Sequence, residues 1–230
     1  NARLEPGELD LNSLSLTDEL ANLLLSGQVT LEEADKRLTE IDAMPSPYGK
    51  LITGCSFGLS TGAFGMLMGA SWSEIFWSGL FGFVVYFWVL WSERSKRVAL
   101  MLEPVIAYVV AFLACVASRF FDPGINIPII ILSSVIIFVP GLALTMGLAE
   151  LSSRNMVSGT ARIMDAMMQL FKLYFGAFLG VATGFSLFGE NTYAPAESLP
   201  YWSTWLAVVL LGFGLVAIFR TRAKHIPWAL

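Results

Sequence analysis

Residues 129–149 read Ile-Ile-Ile-Leu-Ser-Ser-Val-Ile-Ile-Phe-Val-Pro-Gly-Leu-Ala-Leu-Thr-Met-Gly-Leu-Ala, a run without a single charge, interrupted near its middle by Pro140-Gly141. A helix needs about 20 apolar residues to cross the hydrocarbon of a bilayer, and this run is long enough. Proline removes one backbone donor and disturbs the carbonyl four residues earlier, and the glycine after it lets the chain bend. Backbone polar groups are thereby freed at bilayer depth, which is tolerated only where something satisfies them. Neighbouring helices do this at a packing kink; in transporters a substrate or coupling ion often does.

Working outward, five further stretches are long and apolar enough to span, at about 51–70, 74–91, 99–118, 163–188 and 202–219. The second opens on a capping-box pattern, Ser71 to Glu74, so the turn before it is tight. Tyr48, Trp72, Trp91, Tyr201 and Trp202 mark span ends as an interfacial aromatic belt would. The fold class expected is all-α: a polytopic helical membrane protein with six transmembrane helices, the fourth broken at Pro140-Gly141, and a short acidic helical cytoplasmic head. Composition agrees, with 56% of the 230 residues hydrophobic and 14% charged, against about 45–50% and 25% in soluble domains. It excludes a disordered chain and a secreted disulfide scaffold. With 14 Lys and Arg against 18 Asp and Glu, no basic footprint for nucleic acid exists. Cys55 and Cys115 lie in apolar runs outside any metal or redox spacing and read as two buried free thiols.

Charge divides the chain. Residues 1–49 carry ten acids against Arg3, Lys36 and Arg37 and form the cytoplasmic acidic segment, with Pro45 and Pro47 as its hinge. Leu14, Leu16, Leu20, Leu23 and Leu24 give a first helix its apolar face, and Thr30 with Glu33 opens a second that runs to about Asp42. Residues 50–190 hold spans one to five, and 191–230 an external loop and the sixth span. Lys50, Arg94, Lys96, Arg97, Arg154, Arg162, Arg220, Arg222 and Lys224 fall on one side of the spans and only Arg119 on the other. That asymmetry puts both ends of the chain in the cytoplasm. Glycines recur every four residues at 54, 58 and 62 and at 176, 180 and 184. Such grooves let helix backbones approach closely, within one bundle or across a homodimer seam.

Polar residues inside the membrane body carry the functional signal, because each is expensive there. Arg162, Asp165, Gln169 and Lys172 are spaced three, four and three apart and share one helical face. A carboxylate, an amide and an ammonium on one face suit a zwitterion such as an amino acid; self-pairing of Asp165 with Arg162, or snorkelling of Lys172, are the structural alternatives. Glu103, before Pro104 at the start of the third span, is a weaker candidate, since an acid is favoured there by the helix dipole alone. An intramembrane protease is not expected: the sole histidine is His225 in the tail, no HExxH occurs, and Asp165 is the one deep aspartate. No cofactor or metal site is expected.

Val139-Pro-Gly-Leu-Ala-Leu-Thr145, an acid at Glu150, then Ser158-Gly159-Thr-Ala-Arg162 and the acid Asp165 resemble the signature of the threonine/serine exporter family. Gly27-Gln-Val-Thr-Leu-Glu-Glu-Ala34 and the Tyr48-led start of a glycine-rich first span are similar to the same family's N-terminal half. The resemblance implies about ten spans in two halves. Spans one to five would be the first half, and the sixth, with Arg220-Thr-Arg-Ala-Lys-His-Ile-Pro-Trp228, the start of a second half whose remainder is missing. It implies proton-motive-force-driven export from the bacterial cytoplasm, of threonine and serine in the fused type and of a dicarboxylate such as succinate in the split type. On that reading Pro140, Gly141, Thr145, Arg154, Gln169 and Lys172 bind substrate, and Glu150 or Asp165 carries the coupling proton. Partners would be the small-molecule substrate, protons, the lipid bilayer, the missing half and a possible second copy. A non-transporting membrane scaffold with a partner-binding acidic head is the rival class.

Overall fold

The computed structural model describes residues 10–44, 48–92, 94–95, 98–99, 101–189 and 199–221. Pro45, Pro47, most of the 189–201 loop and the tail with Arg222, Lys224 and His225 lie outside them. The described residues are helical and without strands: α1 (Leu11–Leu25), α2 (Leu31–Asp42), α3 (Lys50–Leu67), α4 (Trp72–Ser92), α5 (Leu102–Phe120), α6 (Ile127–Val135) with a 3-10 turn Ile136–Phe138, α7 (Gly141–Ser152), α8 (Met156–Phe188) and α9 (Trp202–Ile218). The expected all-helical class is thus observed. Two compact units divide the chain, one of residues 1–56 and 212–230 and one of residues 57–211.

In the first unit α1 and α2 pack on each other around Leu20, Val29 and Ala34, with Leu23, Leu24 and Ile41 at the edge. Leu14, expected on the apolar face, is exposed instead. Asp10 caps α1 by accepting from Asn12 N and Ser13 N, and its other oxygen accepts from Arg220 at 3.1 Å. Thr30 caps α2 as its sequence foretold. Tyr48 donates its hydroxyl to the Thr221 carbonyl at 2.8 Å. Cys55 is free but exposed, a correction to the expected buried thiol. It falls on the same side of α3 as exposed Leu51, Ile52 and Leu59, whereas Cys115 on α5 is buried and free.

In the second unit α4, α5 and α8 are each long and apolar enough to span a membrane. The fourth expected span is a bent pair, α6 with its 3-10 turn followed by α7 at 61°. The first and sixth expected spans form helices, α3 and α9, that do not reach the same standard. Serines, threonines and glycines dilute α3, and α9 has 17 residues. Among the described residues three to four elements are therefore long and apolar enough to span, where six spans were expected.

Helix α8 is 33 residues long and begins at Met156 rather than near 163. At 1.5 Å per residue it measures roughly 50 Å, well beyond a hydrocarbon core of about 30 Å, so part of it stands outside. Its closest partner is α5. A Cβ on Gly176 would collide with the Pro104 carbonyl, one on Gly180 would lie 2.5 Å from the Tyr108 carbonyl, and one on Gly184 2.6 Å from the Cys115 sulfur. The glycine stripe read from the sequence is therefore an intramolecular seam, which supplies the packing that lipid cannot drive. α3 and α4 meet similarly, with a Cβ on Gly82 falling 2.9 Å from Gly58 Cα. Gly180→Ala should destabilise the protein by about 1–3 kcal/mol through overpacking against rigid backbone. Gly62→Ala, whose Cβ meets nothing nearer than 3.5 Å, should leave the thermal unfolding midpoint in detergent nearly unchanged.

Candidate functional site

The break between α6 and α7 has a simple local cause. Val139 is extended (φ −70°, ψ 120°), its N–H turns back to the Ile136 carbonyl at 3.0 Å, and Gly141 N closes onto the Val139 carbonyl at 2.8 Å. Pro140 has no N–H to continue the ladder. The Phe138 carbonyl accepts instead from Gln169 Nε2 of α8 at 3.0 Å. A neighbouring helix thus satisfies the freed carbonyl, and it does so with the middle residue of the polar stripe. The N-terminus of α7 at Gly141 has no side-chain cap, so with Gly141 N turned to Val139 the N–H groups of Leu142 and Ala143 stay available to an acceptor.

The other stripe residues go to two further elements. Arg162 Nη2 donates to Glu150 Oε1 of α7 at 2.9 Å, and Ser158 Oγ donates to Glu150 Oε2 at 2.7 Å. Lys172 Nζ donates to Glu103 Oε2 of α5 at 3.1 Å. Both ion pairs are partly open, the cationic side chains being 40% and 39% exposed, so competing ions can reach them. Arg162 Nε is buried without a partner among the described residues. The Asp165–Arg162 pairing held open as a structural alternative is not observed: Asp165 is exposed and makes no ion pair among the described residues, and Arg162 pairs with Glu150 across the α7–α8 turn instead.

Thr145, exposed on α7, donates its hydroxyl to the Gly141 and Leu142 carbonyls of its own helix at 3.1 and 2.9 Å. Arg154 sits in the α7–α8 turn in the left-handed region (φ 62°) with its side chain exposed. A glycine is the usual occupant of such a helix-ending position. The structure therefore joins Gln169 directly to the break and gathers Glu150 with Arg162. Lys172 goes to Glu103, while Thr145, Arg154 and Asp165 stand apart. Ser158 was missed as a site residue although it lies in the quoted motif, and Glu103 gained its importance only through a partner 69 residues away.

The family model described as "Putative threonine/serine exporter" matches residues 2–184, most of the chain. The chain belongs to the threonine/serine exporter family. A threonine/serine exporter from Corynebacterium glutamicum is 24% identical over 232 residues, covering 97% of this chain and 46% of that protein. Pheromone-regulated membrane protein 10 of Yarrowia lipolytica is 25% identical over 228 residues, covering 95% and 18%. An uncharacterized protein of Schizosaccharomyces pombe is 21% identical over 238 residues, covering 96% and 28%. The chain thus spans less than half the length of each of these relatives. No solved structure matches it. The helices of the second unit that are long and apolar enough to span agree with a membrane protein of this family.

Gln169→Leu removes the donor that serves Phe138. Loss of about 1–3 kcal/mol is expected for the stranded carbonyl, read as a lower unfolding midpoint in detergent; an unchanged midpoint would mean that the break is held by other contacts.

Proposed function

We propose that this chain is the membrane part of an exporter that drives threonine and serine out of a bacterial cytoplasm on the proton-motive force, with both of its ends on the cytoplasmic face of the inner membrane. The observation that carries the reading is the Gln169–Phe138 bond, which ties a polar stripe to a broken helix. Substrates in transporters commonly bind where a helix is unwound beside polar side chains.

The α8 stripe is engaged in ion pairs that a zwitterion can replace group for group. Its carboxylate competes for Lys172 and for the free Nε of Arg162, its ammonium for Glu103 and Glu150. The uncapped first turn of α7 offers the N–H groups of Leu142 and Ala143 and the positive end of the helix dipole to the same carboxylate. Thr145 commits its proton to its own helix and keeps lone pairs for an ammonium or hydroxyl donor. Arg154, exposed at the turn, draws carboxylates in from water. A dicarboxylate would bring two negative charges to a site that already holds Glu103 and Glu150, so the charge balance favours an amino acid.

Proton coupling follows from the same exchange. Glu150 is held by Arg162 and Ser158, and it takes a proton when those two bonds open. Asp165 has no competing cation among the described residues and is the second carrier. The remaining half of the protein, or a second copy, would cover the exposed apolar face of α8 at Met164, Met168, Phe171, Phe175 and Phe178.

Labelled threonine should leave proteoliposomes of the full-length protein under an imposed pH gradient, and succinate should not compete. Release of succinate in place of threonine would change the substrate class, and movement of neither by folded protein would favour the scaffold. In Glu150→Gln threonine flux should persist but lose its response to the gradient; wild-type pH dependence in that variant would remove Glu150 from the proton path.

A further inference from the structure

At the first turn of α4 stands a carboxylate that the export reading does not use. Glu74 is 3% exposed. Its Oε2 accepts from Ser71 N at 2.7 Å and its Oε1 from Asn126 N at 2.6 Å. The first bond closes the capping box. The second crosses 52 residues of sequence to the residue that caps α6, where Asn126 Oδ1 accepts from Ile129 N at 3.1 Å. Two backbone donors on two elements need two acceptor oxygens, and an ionised carboxylate offers two and no donor. Among the described residues no cation pairs with Glu74, and its oxygens serve these two N–H groups.

α6 packs against α4 and α5. Its buried Ile127, Ile130, Ile131 and Val135 make apolar contacts, which have no direction and fix its position along its own axis only weakly. Its two buried serines add no grip. Ser134 returns its proton to the Ile130 carbonyl at 2.7 Å, and the hydroxyl of Ser133, like that of Ser78 on α4, has no partner among the described residues. Among the described residues two polar bonds join α6 and its 3-10 turn to other elements: Asn126 N to Glu74 at the start, and the Phe138 carbonyl from Gln169 at the end. With nine α-helical residues and three in the 3-10 turn, the rod between these anchors is roughly 20 Å long. A hydrogen-bonded helix is stiff enough to carry a displacement of one end to the other.

We propose that Glu74 is a positioning residue for the broken helix: by holding the start of α6 it sets the depth at which the Phe138 carbonyl meets Gln169. A capping box asks for one oxygen, and the other, turned to Asn126 at 2.6 Å, is more than a cap needs. Trp77 against Phe121, with ring centroids 5.7 Å apart, ties α4 to the end of α5 and leaves the start of α6 to Glu74. Glu74→Gln keeps the size of the side chain but turns one oxygen into an NH2 group. The capping box is local and keeps the remaining oxygen, so Asn126 N faces a donor in place of its acceptor. The rod is then fixed at one end only, and the break loses its set depth. The consequence for substrate rests on the export reading; the positioning of the break does not.

Hydrogen exchange of the full-length protein in detergent tests this. In Glu74→Gln the amides of residues 136–143, at the far end of the rod, should exchange roughly tenfold faster, while those of residues 176–188 on the α5–α8 seam keep wild-type rates. Coupling between two sites is reciprocal, so Gln169→Leu should loosen residues 124–129 by a comparable factor, a reading that needs no variant of Glu74. Faster exchange confined to residues 71–76 and 124–129 in Glu74→Gln would make Glu74 a local staple and overturn the proposal. So would wild-type exchange at 124–129 in Gln169→Leu, or a rise in Glu74→Gln that includes the seam equally. In proteoliposomes Glu74→Gln should raise the threonine KM about tenfold and keep the response to the pH gradient. Faster exchange at the break with a wild-type KM would uphold the positioning and move the substrate away from the break; absence of threonine flux in the wild type would count against the export reading alone.

Discussion

In hydrocarbon a backbone carbonyl without a donor is among the most expensive objects a protein can carry. Pro140 creates that problem in the middle of an otherwise spanning segment, and the arrangement of the second unit around α8 is organised by its solution. Gln169 must sit on α8 at the depth of Phe138, which fixes the register between α8 and the bent pair. Once that register is set, Arg162 arrives at Glu150 two turns nearer the α7–α8 turn, and Lys172 at Glu103 one turn the other way. Three polar bonds from one helix face to three partners then follow from a single constraint.

That register also depends on close approach. Gly147 and Gly159 let α7 and α8 meet backbone to backbone, a Cβ on Gly159 falling 2.9 Å from the Gly147 carbonyl. Gly176, Gly180 and Gly184 do the same for α5 and α8. Larger residues would hold the helices apart by more than a hydrogen bond can span. Small residues and polar residues are therefore two parts of one mechanism here: the first bring backbones near, and the second use the nearness.

What the sequence made legible was local. The break, the capping boxes at Ser71–Glu74 and Thr30–Glu33, and the face shared by Arg162, Gln169 and Lys172 all rest on spacings of three or four residues, which helix geometry decides alone. The partners of those residues were not legible, since Glu103 and Phe138 are distant in sequence and become neighbours only when helices pack. Periodicity set Arg162 beside Asp165, yet a tight turn with Arg154 in a left-handed conformation brought Glu150 there instead. The stretch expected as the first span is a helix, α3, over nearly the same residues, but its serines, threonines and glycines leave it less apolar than α4, α5 and α8. The unpartnered hydroxyls of Ser78 and Ser133 had no sequence signal, because a serine that bonds its own helix looks identical to one that does not.

A single unbroken rod of 33 residues has a mechanical consequence. The α5 seam grips α8 at Gly176, about 21 Å along the axis from Arg162 at 1.5 Å per residue. A rocking of roughly 10° about that seam would carry the polar end through about 4 Å, more than the 2.9 Å length of the Arg162–Glu150 bond. The helix is thus a lever with its fulcrum among glycines, where the backbones touch without interlocking side chains. Small rearrangements deep in the bundle are magnified at its far end.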